Sequence, residues 1–310
     1  MNRQNPGLYG YGGLGVLALT WGSAFAFIAV GVESLTPSLV AFGRLALGAI
    51  LLTAFALHRG RVLPPLTDKS WLWFGALGLF GNALPFTLIA IGQQSVPSGV
   101  AGILMSMTPL AIIAAAHFVL PGERLSPLKT AGFLIGFSGV VLLIGPSALE
   151  GVLSASFIGQ ALIFTATLAY ATNAILYQAG PETSPSVVAA ASLICAAVLA
   201  LPMAIFDIAT GQQAGLPSLA SLGAVVALGL LPTALAAMVY MAIARQVGAA
   251  FIALVNYAVP VVAALIGFFL GEAMGIRAWI ALAVILAGVF IARRGDVRAR
   301  AKSAGRTPNR

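Results

Sequence analysis

Arg44 is the one formally charged residue set well inside a long apolar stretch of this sequence. An arginine at bilayer depth costs at least ~2.5 to 3.5 kcal/mol on insertion scales, so it needs a partner or a task. It reads as an electropositive contact for a carboxylate, or as a gate paired with Glu33. The structural alternative is a guanidinium that bonds helix-end carbonyls or snorkels to the interface. Other apolar stretches are punctuated by Trp21 and Ser23, Asn82 and Phe86, Ser106 and Thr108, Tyr170 and Asn173, Thr233 and Tyr240, and Asn256 and Tyr257. Tyr170, Asn173 and Tyr177 fall at i, i+3 and i+7, one helical face. Aromatic walls carrying a few hydrogen-bonding groups suit a flat, partly apolar organic solute. The bland alternative for each polar residue is an interhelical hydrogen bond, worth ~0.6 kcal/mol on average. Pro85, Pro109, Pro232 and Pro260 stand inside apolar runs. An interior proline frees a carbonyl and kinks its helix, so Pro109 and Pro260 are candidate hinges beside Arg44.

Bond-making chemistry is hard to assemble from the rest. The chain has two histidines, His58 and His117, eight scattered carboxylates and one cysteine, Cys195. One cysteine makes neither a disulfide nor a zinc site. A membrane-embedded lipid enzyme needs clustered His, Asp, Glu or Cys near the surface, and none is visible. The expectation is a non-enzyme with no cofactor and no metal. Gly10-Tyr11-Gly12-Gly13-Leu14-Gly15 fits G-x-G-x-x-G, but a dinucleotide site needs a preceding strand, and this segment opens an apolar run. A channel would need charged rings or a carbonyl filter, and neither is legible.

The elements that must position these residues are dictated by composition. Of 310 residues, 60% are hydrophobic and only 8% charged, with mean hydropathy +1.02. A soluble domain carries about 25% charged residues, so a soluble enzyme, a disordered chain and a fibrous protein are excluded. Ten apolar runs are present: Gly12–Val32, Ser38–Leu57, Trp71–Gly92, Ser98–Leu120, Leu128–Ile144, Phe157–Gln178, Ser186–Phe206, Leu219–Ala244, Ala249–Leu270 and Ile276–Ala292. In hydrocarbon each amide must be paired within its own segment, so each run is expected to be a helix. With the N-terminus inside, all but two of the 16 Lys and Arg fall on the inner side; the exceptions are Arg277, outside, and Arg44, within a run. That asymmetry predicts an all-α, multi-pass inner-membrane protein with ten spans and both termini cytoplasmic. Glu33, Glu150, Asp207 and Glu272 are expected in outer loops, and the tail after Arg293 is expected to lack structure. The basic excess is thus an orientation signal, and no nucleic-acid partner is expected. Lipid and a small-molecule substrate are the expected partners.

The halves repeat. Pro109 and Pro260 are 151 positions apart, and Gly122-Glu123 and Gly271-Glu272 are 149 apart. Gly139-Val140 and Gly288-Val289 are also 149 apart, as are Trp21-Gly22-Ser23 and Tyr170-Ala171-Thr172. Each half holds five runs, an odd number, so the second inserts upside down. The expected organisation is an N-terminus over 1–11, repeats over 12–145 and 157–293, a linker over 146–156 and a basic tail over 294–310. Gly132 and Gly136 form G-x-x-x-G in the fifth run, a face for close internal packing or for a homodimer through helices 5 and 10.

These features resemble the drug/metabolite transporter superfamily, in its ten-helix EamA-type branch. The resemblance is carried by Thr20-Trp21-Gly22-Ser23, Arg44-Leu45, Thr108-Pro109, Gly122-Glu123-Arg124-Leu125 and the Gly136–Gly139 segment. In the second half it is carried by Val259-Pro260 through Leu270-Gly271-Glu272, and by Ala287-Gly288-Val289. It implies a central cavity lined by helices 1, 3, 4, 6, 8 and 9, worked by alternating access. One departure is clear: the small four-helix multidrug exporters carry a glutamate inside helix 1, and Gly12–Val32 has no carboxylate. The functional expectation is export of amino acids or related metabolites, with uptake of a vitamin-like compound as the alternative direction.

Overall fold

A computed structural model describes residues 7–120, 126–149, 154–213, 215–247 and 249–304. Side chains are described for all of these except 146–149, 249–250 and 295–304. Among the described residues the chain is all helix. The ten helices are α1 Gly7–Gly31, α2 Pro37–His58, α3 Ser70–Gly92, α4 Ser98–Val119, α5 Pro127–Leu149, α6 Ala155–Gln178, α7 Pro185–Ala209, α8 Leu219–Gln246, α9 (Ala249–Ile252 followed by Val255–Phe269) and α10 Ile276–Ala304. Nine are long and apolar enough to cross a bilayer by length and composition, and the main segment of α9 is a shorter apolar helix.

Start signals are local. Pro stands at the first turn of α2 and α7, where its missing amide costs nothing. Ser154 and Ser218 cap α6 and α8 by accepting from Phe157 and Ser221 amides. Asp68 accepts the Ser70 amide at 2.8 Å ahead of α3, and that bond holds its carboxyl below the usual carboxylate range.

Two boundaries differ from expectation. Asp207, expected in an outer loop, lies within α7, only 5% exposed, and accepts a short bond from the Ser38 hydroxyl. A hydrogen-bonded carboxylate at a helix end is compatible with a longer α7. The tail after Arg293, expected to be unstructured, continues α10 to Ala304. Its alanines, arginines and lysine are good helix formers, and extending an existing helix carries no nucleation cost. The G-x-G-x-x-G segment lies inside α1. The Gly122-Glu123-Arg124-Leu125 motif falls outside the described residues.

Packing is two-fold under exchange of the halves, with each helix i of the first half matched to i+5. The α1–α9 contact has its counterpart in α6–α4, α1–α8 in α6–α3, and α2–α8 in α7–α3. Three pairs map onto themselves: α2–α7, α4–α9 and α5–α10. That pattern is what an inverted five-helix repeat produces.

The α5–α10 pair shows what holds such a bundle together where lipid is as apolar as leucine. A Cβ added at Gly132 would sit 2.5 Å from the Ala292 nitrogen and 2.6 Å from the Gly288 oxygen. One at Gly139 would sit 2.7 Å from Ile285 Cγ1. The G-x-x-x-G face offered to a second copy is therefore filled inside the chain, because backbone-to-backbone approach of α5 and α10 uses it up. Leu134, Val141 and Phe290 on other faces remain exposed.

Gly132→Val is expected to cost about 1 to 3 kcal/mol of overpacking, lowering Tm in detergent by several degrees. Gly145→Ala, where a Cβ meets nothing within 4 Å, is expected to stay within about 0.5 kcal/mol of the parent. Equal thermal stability of the two variants would remove the glycine contact from the fold.

Candidate functional site

Helices α3 and α8 do not run as plain α-helices. Each contains a π-helical segment at mid-length, Leu79–Ala83 in α3 and Gly229–Leu235 in α8. Pro85 follows the first and Pro232 lies inside the second. Such segments mark functional positions more often than chance, and these two occupy matching places in the repeats. In α8 the Leu228 carbonyl freed by Pro232, and the Pro232 carbonyl passed over where the π segment ends, both find side chains. Thr233 Oγ1 donates to the Leu228 oxygen at 2.8 Å, and Trp21 Nε1 of α1 donates to the Pro232 oxygen at 3.0 Å.

Arg44 of α2 joins this knot. Its Nε and Nη2 donate to Thr233 Oγ1 at 3.3 and 3.2 Å. The guanidinium carbon lies 3.6 Å from the centre of the Phe86 ring, a cation–π contact at close range. The approach depends on small residues. A Cβ at Gly43 would meet Val225 at 2.6 Å, and one at Gly48 would meet Thr233 Cγ2 at 2.5 Å. Arg44 is 5% exposed. It neither pairs with Glu33, which lies exposed beyond α1, nor reaches the interface. The reason is distance along the helix: the gap between α2, α3 and α8 is nearer than either end.

Tyr170 of α6 lies within electrostatic range of Arg44. One turn on, Asn173 packs against α3, where a Cβ at Gly81 would sit 2.6 Å from Asn173 Oδ1. Asn82 follows Gly81 in the π segment and is half-buried. Arg44, Asn82, Phe86, Tyr170 and Asn173 are thus brought together from three helices, α2, α3 and α6. Among the described residues, the side chains of Asn82, Asn173 and Tyr170 make no hydrogen bond to the chain, and none is among the sealed polar atoms without partners. Unpaired amides and a phenol at such depth are groups that a polar ligand could engage.

Aromatic rings lead from this centre toward the end that carries the basic loops. Trp21 and Tyr240 are 6.1 Å apart, Tyr240 is within electrostatic range of Tyr177, and Tyr177 and Trp73 are 6.4 Å apart. They come from α1, α8, α6 and α3 in turn. Tyr240 and Tyr177 are 39% and 49% exposed. Trp73 also donates to the Leu176 oxygen at 2.9 Å. The sequence does not single out Trp73, because a tryptophan at a helix end reads as an interface anchor.

Other expected site residues lie elsewhere. The Ser23 and Ser106 hydroxyls donate to Thr20 and Ile103 carbonyls of their own helices, and Ser106 is buried. Asn256 is exposed on the basic-end part of α9. Tyr257 faces α10, where Arg293 hydrogen-bonds it and lies 5.7 Å from its ring centre. The cause is a break in α9 at Ala253-Leu254, which turns the face that a continuous helix would present to the centre. Pro109 starts the second segment of α4 after a break at Ser106-Met107, and Thr108 Oγ1 donates to the Met105 oxygen at 2.7 Å. Pro260 lies inside the main segment of α9.

The two ends of the bundle differ. At the outer end the halves are tied together. Ser34 and Ser218 hydroxyls are bonded at 3.2 Å, Gln213 bonds Thr36 and Ser34 backbone at 3.0 and 2.9 Å, and Ser221 donates to the Val30 oxygen at 2.7 Å. Ser95 donates to the Ala155 oxygen at 2.8 Å. Glu272 accepts the free Ser98 and Gly99 amides at the start of α4, both at 2.8 Å, an acidic group where the helix dipole favours it. One apolar cluster runs through both halves here, through Phe25, Ile28, Ile89, Leu104, Ile163 and Ala264. At the basic end the buried apolar residues fall into two clusters, each joining helices of both halves. Leu17, Ala236, Ile243 and Val255 knit α1, α8 and α9, while Phe74, Leu77 and Val187 knit α3 and α7. Two apolar grooves of 380 and 290 Å³ open between α4, α5 and α6, sharing Phe137 and Phe164; neither includes an expected site residue.

This is the architecture of a multi-pass inner-membrane transporter, and comparison with known proteins agrees. The chain belongs to the EamA-like transporter family, which matches it twice, over residues 8–145 and 157–294. It is 32% identical over 287 residues to the uncharacterized inner membrane transporter YedA of Escherichia coli strain K12, covering 92% of this chain and 90% of that one. It is 27% identical over 300 residues to the aromatic amino acid exporter YddG of Ancylobacter novellus, covering 94% and 98%. A solved crystal structure superposes with TM-score 0.65 at 25% identity, covering 94% of this chain and 98% of the other.

Thr233→Val removes both Arg44 bonds and the Leu228 carbonyl's partner. The expected loss is about 1 to 3 kcal/mol of stability, the desolvation cost of orphaned groups, with Thr233→Ser close to the parent. Thermal unfolding of the three proteins checks this; a valine variant as stable as the serine variant would mean that Arg44 does not depend on Thr233.

Proposed function

We propose that the chain exports amino acids or related metabolites, aromatic ones foremost, by alternating access of a mid-depth site, and releases them unchanged. The observation that carries the reading is the contrast between the ends. Cross-half hydrogen bonds gather at the outer end, while at the basic end the apolar packing is divided into two clusters and Trp21, Tyr240, Tyr177 and Trp73 stand in line from four helices. That arrangement corresponds to the cytoplasm-facing state of a carrier. Rocking the halves would exchange it for the opposite one, with the break at Ser106-Met107 before Pro109, the break at Ala253-Leu254 and the interior Pro260 of α9 as the flexible points. Four aromatic side chains from four helices, beside unpaired amides, favour a solute with a flat ring. The relative named as an aromatic amino acid exporter supports both ring and direction.

The test is flux in vesicles of defined orientation. Everted vesicles are expected to accumulate labelled phenylalanine or tyrosine saturably, and protein-free vesicles are not. In a Cys195→Ala background, Tyr240→Cys is expected to react with an impermeant thiol reagent from the cytoplasmic face, and Glu272→Ala to slow that reaction by loosening the outer closure. No saturable flux for any solute of a broad panel, or equal labelling of Tyr240→Cys from both faces, would overturn the reading.

A further inference from the structure

We infer that Arg44 is the seat of an anionic group on the transported solute, so that the solute class is an organic acid with a flat apolar body, bound by its carboxylate. This rests on the transport reading above and narrows its substrate. The argument is one of charge balance. Arg44 is 5% exposed, and both of its hydrogen bonds go to one neutral oxygen, Thr233 Oγ1. Its remaining close partner is the Phe86 ring, and Tyr170 is the electrostatic neighbour. A ring, a hydroxyl and a phenol offer dipoles; none supplies a negative charge. Among the carboxylates whose side chains are described, Glu33, Asp68, Glu182, Asp207 and Glu272 all stand near helix ends or beyond them, and none bonds Arg44. A buried charge ordinarily has a counter-charge, and one without it carries a large desolvation cost.

The donors support the same conclusion. A guanidinium has five N–H groups in a planar fork suited to bidentate contact with a carboxylate. Nε and one Nη2 hydrogen are engaged by Thr233. The Nη1 group has no hydrogen-bond partner among the described residues, so two of its N–H groups are left for a ligand. The polar neighbours on α3 and α6, Asn82, Asn173 and Tyr170, are neutral groups. An ammonium would therefore meet no carboxylate there, while an acid meets the one charge the site holds. The carboxylate is the obligatory group, and an α-ammonium contributes little.

Four isosteric probes separate these contributions: 3-phenylpropanoate, L-phenylalanine, 2-phenylethylamine and 3-phenylpropan-1-ol. Binding to the full-length protein in nanodiscs is measured by calorimetry, independently of flux. The propanoate is expected to bind, L-phenylalanine to compete with it, and the amine and alcohol to bind at least about tenfold more weakly, the loss of one charged contact. Arg44→Gln is expected to bring acid and alcohol to equal affinity, and Arg44→Lys to keep part of the preference. Where Arg44→Gln does not fold, the acid-to-alcohol ratio of the parent carries the test with the lysine variant. Amine or alcohol binding as tightly as the acid overturns the inference, as does an acid preference that survives Arg44→Gln. If none of the four binds while vesicles still transport another solute, the substrate class is wrong and the transporter reading stands.

Discussion

A carbonyl deprived of its amide inside a bilayer has no water to turn to. Around Pro232, α8 meets this constraint by recruiting side chains from its own next residue and from a distant helix. Thr233 takes the Leu228 oxygen and Trp21 takes the Pro232 oxygen. Because Thr233 is held in that role, its oxygen is aimed at Arg44, and because Arg44 is held there, its plane lies on Phe86. Four helices are thereby fixed relative to one another at the depth where a solute would bind. A polar backbone defect thus organises the site, and the defect is stable only because each group in it has somewhere to donate.

The scaffold is two-fold, but the site is not. The contact pattern maps onto itself under exchange of the halves, and both α3 and α8 carry a π segment beside a proline. Yet the position 149 residues after Arg44 is Leu193, a buried residue of α7. Only one half contributes a charge, and it leans on a threonine of the other half. The midpoint therefore has a polar wall toward α2 and α8 and an apolar one toward α7. Such a scaffold can present the same volume to either side while orienting a solute in one way, since the charged wall does not have a mate.

Much of this was legible in the residues, and the reason is the bilayer. The requirement that each span pair its own amides turned ten apolar runs into ten helices, and the distribution of arginine and lysine gave their direction. The repeat could be read from Pro109 with Pro260 and Gly139 with Gly288. What could not be read was any contact set by distant chain segments. Arg44 and Thr233 are 189 positions apart, and nothing local to Arg44 distinguishes Thr233 from Glu33 as its partner. A proline signals a kink but not a π segment, so the carbonyls that draw in Trp21 were invisible. Tyr257 shows the complementary error. Helical spacing assigns its face only if α9 is continuous, and the break at Ala253-Leu254 redirects it to Arg293.

The polar links at the outer end are neutral hydrogen bonds and one capped helix end, laid over the apolar cluster that runs through both halves. Interhelical hydrogen bonds in membranes are worth ~0.6 kcal/mol on average. A handful of them, at an end where water can replace each partner, therefore adds only a few kcal/mol to the apolar packing. Glu272 on the α4 amides is the strongest single link, being charged. The α5–α10 contact is built in the opposite manner, from backbone packed against backbone through Gly132 and Gly288. It has no water-exchangeable partners and no cheap way to open. The exchange of access proposed above would thus turn on the polar outer links and the broken helices α4 and α9, while the glycine-packed pair serves as the fixed frame.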